Sequence, residues 1–203
     1  MERTPPFMNS SLPQDYLQDC SIIDFHEPSV MRKAQQLSHG LSDDSDIIRA
    51  CFEFVRDEIK HSVDYQLNPI TLTASQVLKH GTGFCYAKSH LLAALLRANN
   101  IPCGLCYQRL TISNDSPPFC LHGLNAVYLP DIGWYKIDAR GNKEGIDAQF
   151  CPPQEKLAFT ILENGEADLP ELWQEPMPAI VTALTTYNTV DDLVENLPDV
   201  NLA

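Results

Sequence analysis

The segment KHGTGFCYAKSHLLAALLRANNIPCG, residues 79–104, constrains the fold more than any other stretch of the chain. From Cys85 to about Asn99, Leu91, Leu92, Leu95 and Leu96 join Ala87, Ala94 and Ala98 in a broad apolar face at helical spacing. Asn99, Asn100 and Pro102 stop the pattern. A face this wide belongs in a core, so the rest of the chain has to be arranged around this helix.

Before it, the sequence predicts helices over 27–40, closed by Gly40, and over 42–62, where Ile47, Ile48, Cys51, Phe52, Val55 and Ile59 share a face. A short helix opens at Thr73 with Gln76 three residues on, the pattern of a capping box, and ends at Gly81. After the central helix the period shortens to that of strands. Residues 104–112, 121–129 and 134–139 read as strands, with SNDSPPF as a loop and PDIG as a turn. Helices followed by antiparallel strands is the α+β order. Residues 1–26 read as an N-terminal arm, 27–150 as the core and 151–203 as an acidic extension packed on it, with TVDDLVENLP as one more short helix.

Composition narrows the function. The 203 residues suit one domain, and 44% are hydrophobic, enough for a real core. Fourteen basic residues against 27 acidic ones give a net charge of −13, which argues against nucleic acid and anionic membranes as partners. No apolar run is long enough to span a bilayer, and the first residues lack the pattern of a secretory signal. Seven cysteines without framework spacing predict free thiols in a reducing, cytoplasmic setting.

One of those thiols is specially placed. The glycines of GTGFC permit a sharp turn into the central helix, leaving Cys85 in its first turn. Unbonded backbone N–H groups and the positive end of the helix dipole favour negative charge there. A cysteine so placed ionises more readily, and the thiolate is the nucleophile. The same N–H groups can receive the oxyanion of a tetrahedral intermediate. A base is needed as well. His26, His39 and His61 lie near predicted helix ends and read as surface residues, His80 precedes the glycine turn, and His90 is set by helix geometry away from the thiol. His122 begins a strand, and Asp138 lies on the next one. The two can meet across strands about 4.8 Å apart only if they share a face, which requires an odd-length loop or a bulge between those strands. Asp138 could alternatively cap the turn begun by ARGN.

The blocks ASQVLKHGTGFCYAKSHLLAALLRANNIPC, LHGLNAVYL and GWYKIDARGN, in that order, resemble the bacterial transglutaminase-like superfamily, a branch of the papain-like cysteine enzymes. The resemblance covers roughly residues 60–142. It implies a nucleophile helix packed on an antiparallel sheet, with Cys85 as nucleophile, His122 as general base and acid, and Asp138 holding the imidazole. Two departures stand out. Tyr86 follows the cysteine where many members have Trp, and HGL replaces the common HAW at the histidine. Members also use an upstream side chain toward the oxyanion, for which Tyr65 and Gln66 are candidates.

The expected activity is thiolate attack on a peptide or other amide carbonyl through a thioester that water resolves. Transamidation, or a binding module on the same fold, are the alternatives. No cofactor is implied. A zinc site built from CGLC (103–106) with Cys120 and His122 is disfavoured, because positions i and i+3 of a strand face opposite ways. Cys51 and Cys106 read as core and Cys151 as a loop residue.

Overall fold

The computed structural model describes residues 7, 12–113 and 116–202. Helix α1 (Pro28–Ser38) is followed by α2 (Asp44–Glu53), whose start is capped by the Asp43 carboxylate accepting from the N–H groups of Ser45 and Asp46. The sequence predicts α2 through residue 62. The structure instead ends the helical stretch with a π-helical turn, Phe54–Glu58, and lays Lys60–His61 down as strand β1. Lys88, a fully buried side chain of the central helix, causes the break to be tolerated: its Nζ donates to the carbonyls of Arg56 and Ile59, which the interrupted helix leaves free.

Helix α3 (Ala74–His80) opens with the Thr73/Gln76 capping box and closes at Gly81, whose φ of +64° suits glycine. Strand β2 (Thr82–Gly83) then pairs in parallel with β1, His61 opposite Gly83, and feeds directly into helix α4 (Cys85–Ala98). Every residue of α4 from Cys85 to Arg97 is buried. Helices α1, α2 and α3 and the sheet all pack on it.

The sheet is antiparallel. Strand β3 (Cys103–Ser113) lies beside β4 (Ser116–Leu129), and β5 (Gly133–Ile137) pairs with the far edge of β4. The hairpin β6 (Gln149–Cys151) and β7 (Gln154–Lys156) follows, and β8 (Ala167–Asp168) returns to β3, giving the order β5-β4-β3-β8. The expected SNDSPPF loop is mostly strand. Pro117 and Pro118 cannot donate ladder bonds, and a register shift between Thr111 and Ser113 lets them sit in β4. Asn114 and Asp115 lie outside the described residues.

Alternation along the strands builds two cores. Leu121, Val127 and Leu129 face α4, while Cys106, Leu124 and Ala126 face a smaller cluster with Phe7, Tyr16 and Leu172. Cys103 and Cys106 accordingly sit in separate cores, as the strand period requires. The chain after β7 holds α5 (Pro178–Thr186), which the sequence reading did not anticipate, and α6 (Val190–Glu195), which it did. Buried Arg97 binds the ends together: its guanidinium donates to the carbonyls of Gln18, Cys103 and Gln174.

Candidate active site

Cys85 is the first residue of α4, and the preceding Phe84 offers no side chain to cap the helix. The first-turn N–H groups are therefore left for something else to bond. The residue after the cysteine fastens this helix start to the histidine strand. Because β5 ends at Ile137, opposite Asn125, the next stretch of β4 is paired with β3 on one side and among the described residues has no strand on the other. There the Tyr86 hydroxyl donates to the Leu121 carbonyl, and the Leu121 N–H donates to the Pro198 carbonyl. Gly123 makes the approach possible. A Cβ at that position would lie 2.8 Å from the Tyr86 ring and 3.1 Å from its Cα. The HGL departure from HAW is thus tied to close contact between strand and helix.

The register satisfies the condition set by the sequence. Leu129 pairs with Gly133, so three residues, 130–132, form the loop. Continuing that register puts Asp138, one residue past the end of β5, opposite Leu124 and on the same face as His122. The strand was expected to include Asp138, and the structure stops it one residue short. His122 Nε2 and Asp138 Oδ2 are 2.8 Å apart. Cys85 lines the same cleft as this imidazole and acts on it electrostatically, and with Nε2 taken by Asp138 it is Nδ1 that is left for the sulfur. The edge of the Phe159 ring stands against the His122 ring at 4.9 Å between centroids.

Cys85 and His122 are each 4% exposed and Asp138 is fully buried. Burial opposes the imidazolium, but the charge of Asp138, then that of Cys85, and the hydrogen bond to Asp138 push His122 up to about 10. Burial likewise opposes the Asp138 carboxylate. The charge and hydrogen bond of His122 hold it below the ordinary range nonetheless, with help from two backbone N–H groups. Those are Arg140 on Oδ1 and Ala158 on Oδ2, each at 3.1 Å. Asp138 therefore does cap the ARGN turn as well as binding the histidine.

Cys85 and His122 line a cleft of about 600 Å³, and Asp138 is buried behind the imidazole it holds. Tyr65 and Gln66 do not line it: Tyr65 is 59% exposed beneath the Lys60 ammonium, and Gln66 is turned outward with φ +50°. His61, which the sequence alone marks as a surface residue, does line it. It is 5% exposed, because β1 runs beside the turn that leads into Cys85. Burial first, and Arg140 next, hold it well below the ordinary histidine range, so it is neutral at pH 7. Among the described residues its Nδ1 has no hydrogen bond, and the nearest Asp64 oxygen is 3.7 Å away. Asp64 is instead engaged by Arg140 at 2.7 and 3.0 Å and by Lys143 at 2.7 Å. Only the β1–β2 pairing identifies His61, and two-residue strands leave no periodic signal. His90 is buried with Nδ1 on the Leu72 carbonyl and is held down to about 4 by burial; His26, His39 and His80 are exposed.

No curated protein matches the chain. Among solved structures, it is similar to a "putative cysteine protease" of Cytophaga hutchinsonii, at 18% identity and a TM-score of 0.49 over 62% of this chain and 40% of that one. The periplasmic domain of TgpA from Pseudomonas aeruginosa gives 19% and 0.48 over 64% and 48%. A TGase gives 14% and 0.42 over 93% and 50%. The chain thus spans half the length of these proteins or less. The family model of the transglutaminase-like superfamily matches residues 32–139, more than half of the chain, from within α1 to just past Asp138. This chain belongs to the transglutaminase-like superfamily, which includes cysteine-dependent acyl-transfer enzymes.

Proposed function

We propose that the protein is a cysteine-dependent amide hydrolase in which Cys85, His122 and Asp138 form a catalytic triad. The observation that carries this reading is the row of sulfur, imidazole and carboxylate at the start of α4. The Cys85 thiolate attacks the carbonyl carbon and the oxyanion is received by first-turn N–H groups. His122 gives its proton to the leaving nitrogen, the C–N bond breaks, and a thioester remains on Cys85. Water then attacks the thioester, with His122 taking its proton, and the carboxylic acid leaves as the thiolate is restored. Asp138 accepts the Nε2–H throughout and favours the charged ring.

We assign the side-chain contact to the oxyanion to His61. A neutral imidazole carrying its proton on Nε2 is a good donor, and a buried Nδ1 without a hydrogen bond fits the unprotonated nitrogen. Replacing His61 by Ala is expected to lower amide turnover about 10²-fold, the scale of a lost oxyanion donor, while leaving Cys85 alkylation unchanged. The unpaired state of all seven cysteines supports a reducing compartment, and we place the protein in the cytoplasm.

Iodoacetamide tests the triad. Cys85 should react near pH 7 much faster than free cysteine, and His122→Ala should abolish the advantage. Alkylation no faster than free cysteine would support a binding module on this fold instead. Added amine tests the fate of the thioester: formation of the amine adduct in preference to the acid would replace hydrolysis by transamidation.

A further inference from the structure

The cleft beyond the triad has a chemical character of its own. Its walls are Leu110 and Ile112 from β3, Leu121 from β4, and Phe159, Leu162 and Leu197 from the chain after β7. Leu162 is 78% exposed and Ile112 is 48% exposed, so large apolar side chains are held out toward solvent at the cleft. Among the described residues no cation in the cleft is free, His122 being held by Asp138. Arg140 is bound through both terminal nitrogens to Asp64, and His61 is neutral. The Glu166 carboxylate is engaged by the Thr111 N–H and hydroxyl and by the N–H groups of Leu162 and Glu163. Glu163 adds a further negative charge to the lining.

This wall is fixed. Val190 N–H donates to Asn68 Oδ1 at one end of α6. At the other end, the Pro198 carbonyl accepts from Leu121, and Asp199 takes a two-point contact from Arg109 at 2.6 and 2.7 Å. Leu197 is held between these anchors, over the same cleft as Cys85.

We propose that the cleft selects acyl donors with an uncharged apolar side chain of leucine or phenylalanine size and rejects glutamine and acidic side chains, with the chain after β7 supplying the selecting wall. The inference rests on Cys85 being the nucleophile. Placing a carboxamide against these leucine, isoleucine and phenylalanine side chains would strip its hydration for fewer hydrogen bonds than water gives it. An acidic side chain would also meet Glu163 and Glu166, with no available counter-ion. An apolar side chain instead covers the exposed Leu162 and Ile112 surface.

The test uses N-acetylated leucyl, phenylalanyl, glutaminyl and aspartyl chloromethyl ketones on the full chain, with chloroacetamide as a probe lacking a side chain. In each case the thiolate displaces chloride, forming a C–S bond as the C–Cl bond breaks. The leucyl and phenylalanyl probes should label Cys85 at least tenfold faster than the other two, each rate divided by that of the same probe with free cysteine. A smaller ratio overturns the proposed selectivity. Leu197→Asp should cut the ratio at least threefold. Leu162→Asp, at an exposed position where folding is not at issue, should do the same, and an unchanged ratio in both variants would overturn the role of the wall. A chloroacetamide rate on Cys85 no faster than on free cysteine, by contrast, would bring down the nucleophile itself.

Discussion

Asp138 accepts from three donors at once, and only one of them is the histidine. Arg140 N–H holds Oδ1, Ala158 N–H and His122 share Oδ2. Replacing it by Asn removes the charge that favours the imidazolium and sets an NH₂ group against at least one of those donors. Turnover in Asp138→Asn is expected to fall by about 10⁴-fold, as in serine triads, with circular dichroism near that of wild type. Equal turnover would remove Asp138 from the triad. The same residue sets the pH behaviour. Raised from 6.5 to about 10, His122 contributes stability that is full below pH 6.5 and is lost as pH rises through about 10. Asp138 is lowered from 3.8, so its contribution is present above that value and fades as pH falls through the lowered one. Two measurements should therefore separate above pH 10. Amide turnover, which needs the proton on His122, should fall, while iodoacetamide alkylation, which needs only the thiolate, should persist. Turnover that stays level to pH 11 would count against His122 as the proton donor. Urea midpoints across the same range should drop more in wild type than in His122→Gln.

Between helix and strand, the critical spacing is at Gly123. Its missing Cβ lets β4 touch Tyr86, and Tyr86 in turn bonds the Leu121 carbonyl two residues along the strand. Gly123→Ala places a methyl group 2.8 Å from the Tyr86 ring and 3.1 Å from its backbone. Ring rotation relieves the first contact but not the second, so the helix start has to move off the strand. The expected cost is about 1–3 kcal/mol of stability in chemical denaturation, with at least a tenfold loss of turnover as Cys85 leaves His122. Full activity in this variant would show that the spacing has slack. Elements of this size were legible where local chemistry decides them. The capping box at Thr73, the Leu/Ala face of α4 and the short α6 all form as their residues predict. The shared face of His122 and Asp138 was legible only as a condition, because alternation along a strand is certain but loop length is not. The end of α2 was illegible: the apolar period runs on through Ile59, and the break depends on Lys88, 29 residues away, reaching the Ile59 carbonyl. His61 was hidden for the same reason, since its burial comes from a two-residue pairing with the turn before Cys85.

At the scale of the whole molecule, the site is completed by chain that lies beyond the family's matched region. The match ends at residue 139, yet the second N–H on Asp138 Oδ2 comes from Ala158, the ring against His122 from Phe159, and part of the cleft from Val194 and Leu197. Hydrophobic pattern did not reveal this, because such contacts are single residues in irregular backbone with no period to read. The consequence is testable by deleting residues 196–203. That deletion takes away Leu197, the Pro198 carbonyl on Leu121 and the Asp199 contact to Arg109, but leaves α4, the sheet and all three residues of the proposed triad in the chain. Cys85, now 4% exposed, should become more accessible, and iodoacetamide should label it at least threefold faster. Amide turnover should move the other way, by about tenfold, because an open cleft admits water around the ion pair and holds the acyl group less well. A fall in both rates together would mean that the C-terminal residues support the fold of the triad itself. A rise in both would mean that they obstruct the cleft, and the wall would then be a barrier to substrate and not a part of its binding site.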